Sequence, residues 1–330
     1  GYDRIPVTMP TGTVDAVQPP LRQRLQASLR NSMVSSGFSE AMNYSFYGSN
    51  TVAKLSLGED DLRHEQVRIL NPLSEDLSVM RTSLVPSLLE TVARNLSYRC
   101  NDLRLFELRP VFLAGEQGLC QERLTLTAVA CGRRLPEGWA QTAEPFDFYD
   151  MKGVAEQLLE AAFVVGAGYS IDQPEPYLHP GKSCRLLHSG KQLGSVGEIH
   201  PQVLAAFDID QPVYLLEIDI ESLLAVSGQF AKFKPLSRFP DVIRDSALLL
   251  DEAVPAAEVM AIIERTKVKY IENAVIFDLY TGKGIPAGKK SLAVRVRYRD
   301  LEKTLTEEEV AKAHSKLINS VCHQLGAEIR

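Results

Sequence analysis

In Lys290-Ser291-Leu292-Ala293-Val294-Arg295-Val296-Arg297-Tyr298, Leu292, Val294, Val296 and Tyr298 form one apolar series, and Ser291, Ala293, Arg295 and Arg297 form a second, mixed one. Alternation with a period of two marks a strand that has one covered and one open face. The apolar series is expected beneath helices and the mixed series outside. Two strands are expected before this segment, Arg244–Leu250 and Ala274–Tyr280, separated by a helix with Pro255 in its first turn. After it, Thr306-x-x-Glu309 is a capping box ahead of Val310, Ala313, Leu317 and Val321, which predicts a helix to about Leu325. A short strand, Ala327–Ile329, would close the order βαββαβ, a ferredoxin-like split βαβ unit over residues 241–330.

Parity extends to the other strands. Ser246, Leu248 and Leu250 should face the helices and Ala247 should face out; Phe277 and Leu279 should be buried, with Asp278 and Tyr280 outward. The open face would then offer Ala247, Asp278, Tyr280 and Ser291 beside the loop Gly282–Lys290. This suits single-stranded RNA: Tyr280 stacks on a base, Asp278 and Ser291 hydrogen-bond base edges, and Lys283, Lys289 and Lys290 neutralise phosphates, with Arg295 and Arg297 as further candidate phosphate contacts. The competing reading is an ordinary solvated sheet face next to a glycine-rich hairpin, and no RNP1 pattern is present.

The charge balance is uneven. From Pro235 onward 15 Lys/Arg stand against 14 Asp/Glu, while the first 234 residues have 21 against 28. Residues 283–299 hold six basic side chains and no acid, a place where a polyanion would be tolerated. Residues 226–240 carry two prolines, a glycine and three positive charges, which is a linker composition.

Upstream, Pro19-Pro20, the series Leu21, Leu25, Leu29 and Met33, and Gly37 outline a helix. A strand-like stretch, Ala41–Tyr47, follows, then a helix from about Ser83 to Tyr98. Strands are expected at Leu103–Leu113, Leu124–Cys131, Ser183–Leu187, Leu193–Ile199 and Val213–Ile218, with a helix at Tyr149–Phe163. Without a βαβ rhythm, the arrangement is expected to be α+β, a largely antiparallel sheet flanked by helices. The five cysteines are scattered and never form C-x-x-C, so neither a disulfide framework nor a zinc knuckle is expected and a reducing cytosol fits. No apolar run is long enough for a membrane span.

The chain resembles the β subunit of bacterial phenylalanyl-tRNA synthetase along nearly its whole length. Gly1-Tyr2-Asp3-Arg4-Ile5-Pro6 is similar to the end of that family's preceding domain, and Asn71–Leu84 (NPLSEDLSVMRTSL) is similar to its N-P-L-S-E…R-T-S-L run. Arg238-Phe239-Pro240, Phe277-Asp278-Leu279-Tyr280, Gly288–Ala293 and Leu305–Val310 resemble its C-terminal anticodon-binding domain. The resemblance implies a tail of a preceding domain and linker (1–17), a non-catalytic core like class II synthetases (18–225), a linker (226–240) and a ferredoxin-like anticodon-binding domain (241–330). It also implies a cytoplasmic α2β2 enzyme that charges tRNA(Phe) with phenylalanine using ATP and Mg2+. The family's anticodon contacts would carry over onto Ala247, Asp278, Tyr280 and Ser291, the residues that parity places outward. Core residues 20–47 resemble the segment that builds subunit interfaces, and Asn71–Leu84 is a candidate contact with the α subunit, or else internal packing.

The expected core has no catalytic, cofactor or metal site of its own. Leu105–Phe112 resembles the family's L-F-E-I-G-R-V-F, but Arg109 stands where Gly is usual and Pro110 where Arg is usual. Val213–Leu223 takes the place of a glycine-rich strand yet has neither Gly nor Arg, and its Leu and Ile side chains are expected to fill the ATP space. Pro180-Gly181-Lys182-Ser183 lacks the first glycine of a phosphate loop. His179 and His200, and Asp147 and Asp150, read as structural and capping residues. The alternative is a free-standing synthetase paralogue with its own adenylation site, which would need the missing phosphate-holding arginines.

Overall fold

The computed structural model describes residues 1–9, 12, 18–115, 120–140, 142–228, 233 and 235–330. The chain divides into two compact units, Gly1–Ala231 and Lys232–Arg330. Parts of the expected tail (10, 11, 13–17) and linker (229–232, 234) lie outside the described residues.

The first unit is built on a seven-stranded sheet. Its elements are α1 (Leu21–Ser35), β1 (Ser39–Glu40), β2 (Phe46–Tyr47), β3 (Val79–Met80), α2 (Val85–Ser97), β4 (Leu103–Ala114), β5 (Cys120–Cys131), α3 (Phe148–Ala161), β6 (Gly168–Ser170), β7 (Leu178–His188), β8 (Lys191–Ile199), α4 (Pro201–Ala206), β9 (Val213–Asp219) and α5 (Ile220–Val226). The strand order is β1-β4-β5-β9-β8-β7-β6, antiparallel except for the β1–β4 pair; β2 and β3 form a separate ribbon. Helices cover both faces. Leu25, Leu29 and Met33 of α1, with Met151, Val154 and Leu158 of α3, pack on Leu126, Leu216 and Ile218. On the other side Leu88, Leu89 and Val92 of α2, with Val203 and Leu204 of α4, pack on Val129, Val213 and Leu215. Helix α3 starts at the capping box Asp147–Asp150, so both acids cap, an arrangement that contributes about 1 kcal/mol. His179 and His200 each accept a backbone N–H two residues on, from Gly181 and Gln202.

The expected strand Ala41–Tyr47 is not continuous. β1 ends just before it and β2 takes only its last two residues, because polar groups between them find other partners: the Asn43 side chain donates to Glu107 and the Tyr44 carbonyl accepts from Arg81. Val213–Leu223 likewise splits, since Asp219 ends β9 and accepts the Ser222 N–H at the start of α5.

Asn71–Leu84 divides into two parts. Asn71–Asp76 is exposed, with Leu73 fully in solvent, whereas Arg81–Leu84 is buried. Arg81 forms a fully buried ion pair with Glu107 at 2.6 Å. Its Nε donates to the Pro110 carbonyl at 3.1 Å, and the second Glu107 oxygen accepts from Asn43 at 2.9 Å. Pro110 is tolerated inside β4 because alternate residues there point their backbone groups away from β5: the next one, Phe112, donates to the Arg81 carbonyl. The second half of the segment is therefore internal packing.

The space expected to be filled by Leu and Ile is open. Leu216 and Ile218 point into one core and Leu215 into the other, while Glu217 and Asp219 line a cleft of about 440 Å3.

The second unit contains β10 (Val242–Asp251), α6 (Ala256–Arg265), β11 (Ile271–Tyr280), β12 (Lys289–Tyr298), α7 (Glu307–Leu325) and β13 (Glu328–Ile329). The sheet order is β11-β12-β10-β13, all antiparallel, and the Thr306–Glu309 capping box opens α7. Leu248, Leu250, Leu292, Val294, Val296 and Tyr298 are buried against Val259, Ile262, Ile263, Val310, Leu317 and Val321. Ser246 faces the same side and meets His314 Nε2 at 2.8 Å; the Tyr298 hydroxyl meets Nδ1 at 2.9 Å. Both helices thus lie on one sheet face and leave the other uncovered.

Candidate nucleic-acid interface

Register fixes the open face. Ala247 pairs with Ala293, Ala293 with Asp278, and Ser291 with Tyr280, so these residues form adjacent rungs on three strands. Asp278 is exposed, Tyr280 is 42% exposed and Ala247 is half-buried. Ser291 is only 6% exposed. It is a small residue on an inner strand, flanked by Tyr280 on one side and Leu249 on the other.

The second strand departs from simple alternation. Ile276 pairs with Val294 and Asp278 with Ala293, which leaves Phe277 as a bulge residue without a partner. Phe277 is therefore 48% exposed rather than buried, and the Arg295 guanidinium lies 4.6 Å from its ring centre. Ile276 and Ala274 take the helix-facing positions instead. Leu279 has the expected register opposite Leu292 but is 56% exposed, because it sits at the end of an edge strand outside the apolar core.

The basic cluster is largely neutralised within the unit. Arg295 forms a bidentate pair with Asp245 (2.9 and 2.7 Å), which holds that carboxyl below its usual range. Arg297 pairs with Asp241 at 3.1 Å and Lys289 approaches Glu328 at 3.6 Å. Lys290 belongs to the helix-facing set and donates to the Glu252 carbonyl at 2.8 Å. Of the five expected phosphate contacts, Lys283 alone is exposed and without an acidic partner among the described residues. The sequence run has no acid, but the neighbouring strands supply several.

One further residue belongs to this face. Arg330 follows β13 and donates its backbone N–H to the Ala247 carbonyl at 3.0 Å. Its guanidinium lies 5.7 Å from the centre of the Tyr280 ring and 3.7 Å from a side chain's first carbon at Gly284, were one present. A terminal arginine at the opposite edge of the sheet gives no periodic signal, so pattern reading passes over it. On its other side the Tyr280 ring folds over Gly282, where a Cβ would come within 2.5 Å of the hydroxyl, and the hydroxyl donates to the Lys283 carbonyl at 3.2 Å. Glycine at 282 is what lets the ring take this place. The face thus offers the Tyr280 ring, a second ring at Phe277 covered by Arg295, an exposed carboxylate, a flat strip of small residues and two cations, Lys283 and Arg330.

The model of the phenylalanyl tRNA synthetase beta chain CLM domain matches residues 5–220, and that of the ferredoxin-fold anticodon binding domain matches residues 237–330. The chain belongs to the phenylalanine–tRNA ligase β-subunit family. It is 54% identical to the phenylalanine–tRNA ligase β subunit of Syntrophotalea carbinolica and 47% identical to that of Geobacter sulfurreducens, in each case over 100% of this chain and 41% of the relative. It therefore spans about two fifths of the length of these β subunits. The anticodon-binding model covers every strand that carries the open face. Among the described residues no helix is long and apolar enough to cross a membrane.

Proposed function

We infer that this chain is the part of a phenylalanine–tRNA ligase β subunit that holds the anticodon stem-loop of tRNA(Phe) and packs on the catalytic α subunit. Tyr280 offers its ring to a base, Asp278 and Ser291 offer hydrogen-bonding groups to base edges, and Ala247 keeps the strip flat enough for a base to approach. Lys283 and Arg330 supply the positive charge for phosphate. ATP, Mg2+ and phenylalanine belong to the α subunit in this reading, the assembly is α2β2, and the setting is the cytoplasm. The observation that carries the proposal is the convergence of Ala247, Asp278, Tyr280 and Ser291 on one uncovered sheet face inside the segment that matches the anticodon-binding model.

The stand-alone synthetase reading is disfavoured because relatives along the whole chain are β subunits and because the core strand β9 presents carboxylates where phosphate-holding arginines would be needed. Co-purification with an α subunit, followed by aminoacylation and by phenylalanine-dependent pyrophosphate exchange without α, separates the two. Charging that needs both chains is expected. Robust exchange by this chain alone would overturn the assignment.

A further inference from the structure

The core cleft between β9, β5 and the loop at Asp61–Arg63 has an unbalanced charge. Four carboxylates line it, from Asp61, Glu175, Glu217 and Asp219, against the arginines Arg63 and Arg123. Both arginines are committed: Arg63 bridges Asp61 (2.7 Å) and Glu175 (3.0 Å), and Arg123 pairs with Asp219 at 2.9 Å. Glu217 has no ion pair among the described residues. Its two oxygens accept only the neutral hydroxyls of Tyr177 and Thr127, each at 3.1 Å. Burial holds its carboxyl above the usual range, against the opposing influence of Arg63. One wall of the same cleft is apolar, formed by Leu62, Val111 and Leu113, and Leu62 is 65% exposed.

Glu217 is a half-buried carboxylate with two neutral donors and open space beside it, in a cleft where four carboxylates face two arginines already paired, so a cation gains from entering it. A phosphate-rich or carboxylate ligand would meet like charge and no free arginine. We propose that this cleft binds a small organic ammonium compound, its ammonium against Glu217 and its apolar body against Leu62, Val111 and Leu113. The site is independent of the RNA-binding face, since every lining residue lies in the first unit.

The test uses the 330-residue chain and 2-phenylethylamine as probe, with phenylacetate as a control of the same size and opposite charge. Isothermal titration, or chemical shifts of residues around the cleft, should show saturable binding of the amine and none of the acid. Glu217→Gln keeps the shape and the hydroxyl partners and should weaken the amine at least ten-fold. Leu113→Trp, which fills the apolar wall, should abolish binding while leaving the Glu217 carboxylate in place. Absence of saturable amine binding, equal binding of phenylacetate, or undiminished affinity in folded Glu217→Gln would each overturn the proposal.

Discussion

Arg330 and Tyr280 stand at opposite edges of the four-stranded sheet, yet the guanidinium of one lies 5.7 Å from the ring centre of the other. The small side chains of Ala247 and Ala293 between them keep that path low. A guanidinium over a ring contributes ~0.5–1 kcal/mol at an exposed site, little enough for an incoming base to displace it or share the ring. Arg330→Ala should therefore weaken tRNA binding and lower its salt dependence, while Arg330→Lys keeps the salt dependence and loses part of the affinity. Equal behaviour of wild type and Arg330→Ala across a salt titration would remove this residue from the interface.

The basic residues are not equivalent. Lys283 is free to meet phosphate, whereas Lys289, Lys290, Arg295 and Arg297 already have protein partners. Lys283→Ala should reduce the slope of log K against log salt by roughly 0.7, the value for one phosphate on a single strand. Lys290→Ala should leave the slope unchanged. The reverse ranking in filter-binding or fluorescence titrations would show that the lysine of the hairpin points away from RNA.

Much of the small unit was legible from alternation, because its core is a set of strands with one apolar face and two helices, α7 opened by a capping box and α6 preceded by Pro255. Parity failed at Phe277, since a bulge inserts one residue and turns that ring outward without any cue in composition. Local charge counting failed for a related reason: the partners of Arg295 and Arg297 lie on another strand and before it, far away in sequence. In the core, the exposed and buried halves of Asn71–Leu84 could not be told apart from the motif alone. Only the position of Glu107 across the sheet explains why Arg81 is inside.

Arg81 and Glu107 form a pair whose separation leaves a charge stranded in the core. Arg81→Leu should destabilise the first unit by about 3–5 kcal/mol, since Glu107 would keep only its Asn43 donor. The double change Arg81→Leu with Glu107→Leu should recover a large part of that loss. Urea unfolding of the three variants checks this, and a single variant as stable as wild type would mean that the pair is not desolvated.

His314 is held neutral between Ser246 and Tyr298, and burial pushes its pKa below the usual 6.5, with Arg244 reinforcing the shift and Asp245 opposing it. Because the folded value is the lower one, the unfolded chain takes up the proton first. The contribution is fully present above about pH 6.5 and is lost as pH falls through the folded value. The second unit should lose stability as pH falls below about 6.5, and His314→Gln should flatten that loss. An unaltered pH slope in the variant would contradict the neutral-histidine arrangement.

The most direct measurement is the affinity of the chain for an isolated anticodon stem-loop of tRNA(Phe), compared between wild type and Tyr280→Ala, with a stem-loop of altered anticodon as control. Loss of one base stack, ~1–3 kcal/mol, predicts a drop of roughly 5- to 150-fold for the cognate loop. The control loop should bind weakly to both proteins. A folded Tyr280→Ala chain that binds the cognate loop as tightly as wild type would contradict the assignment of this face to RNA.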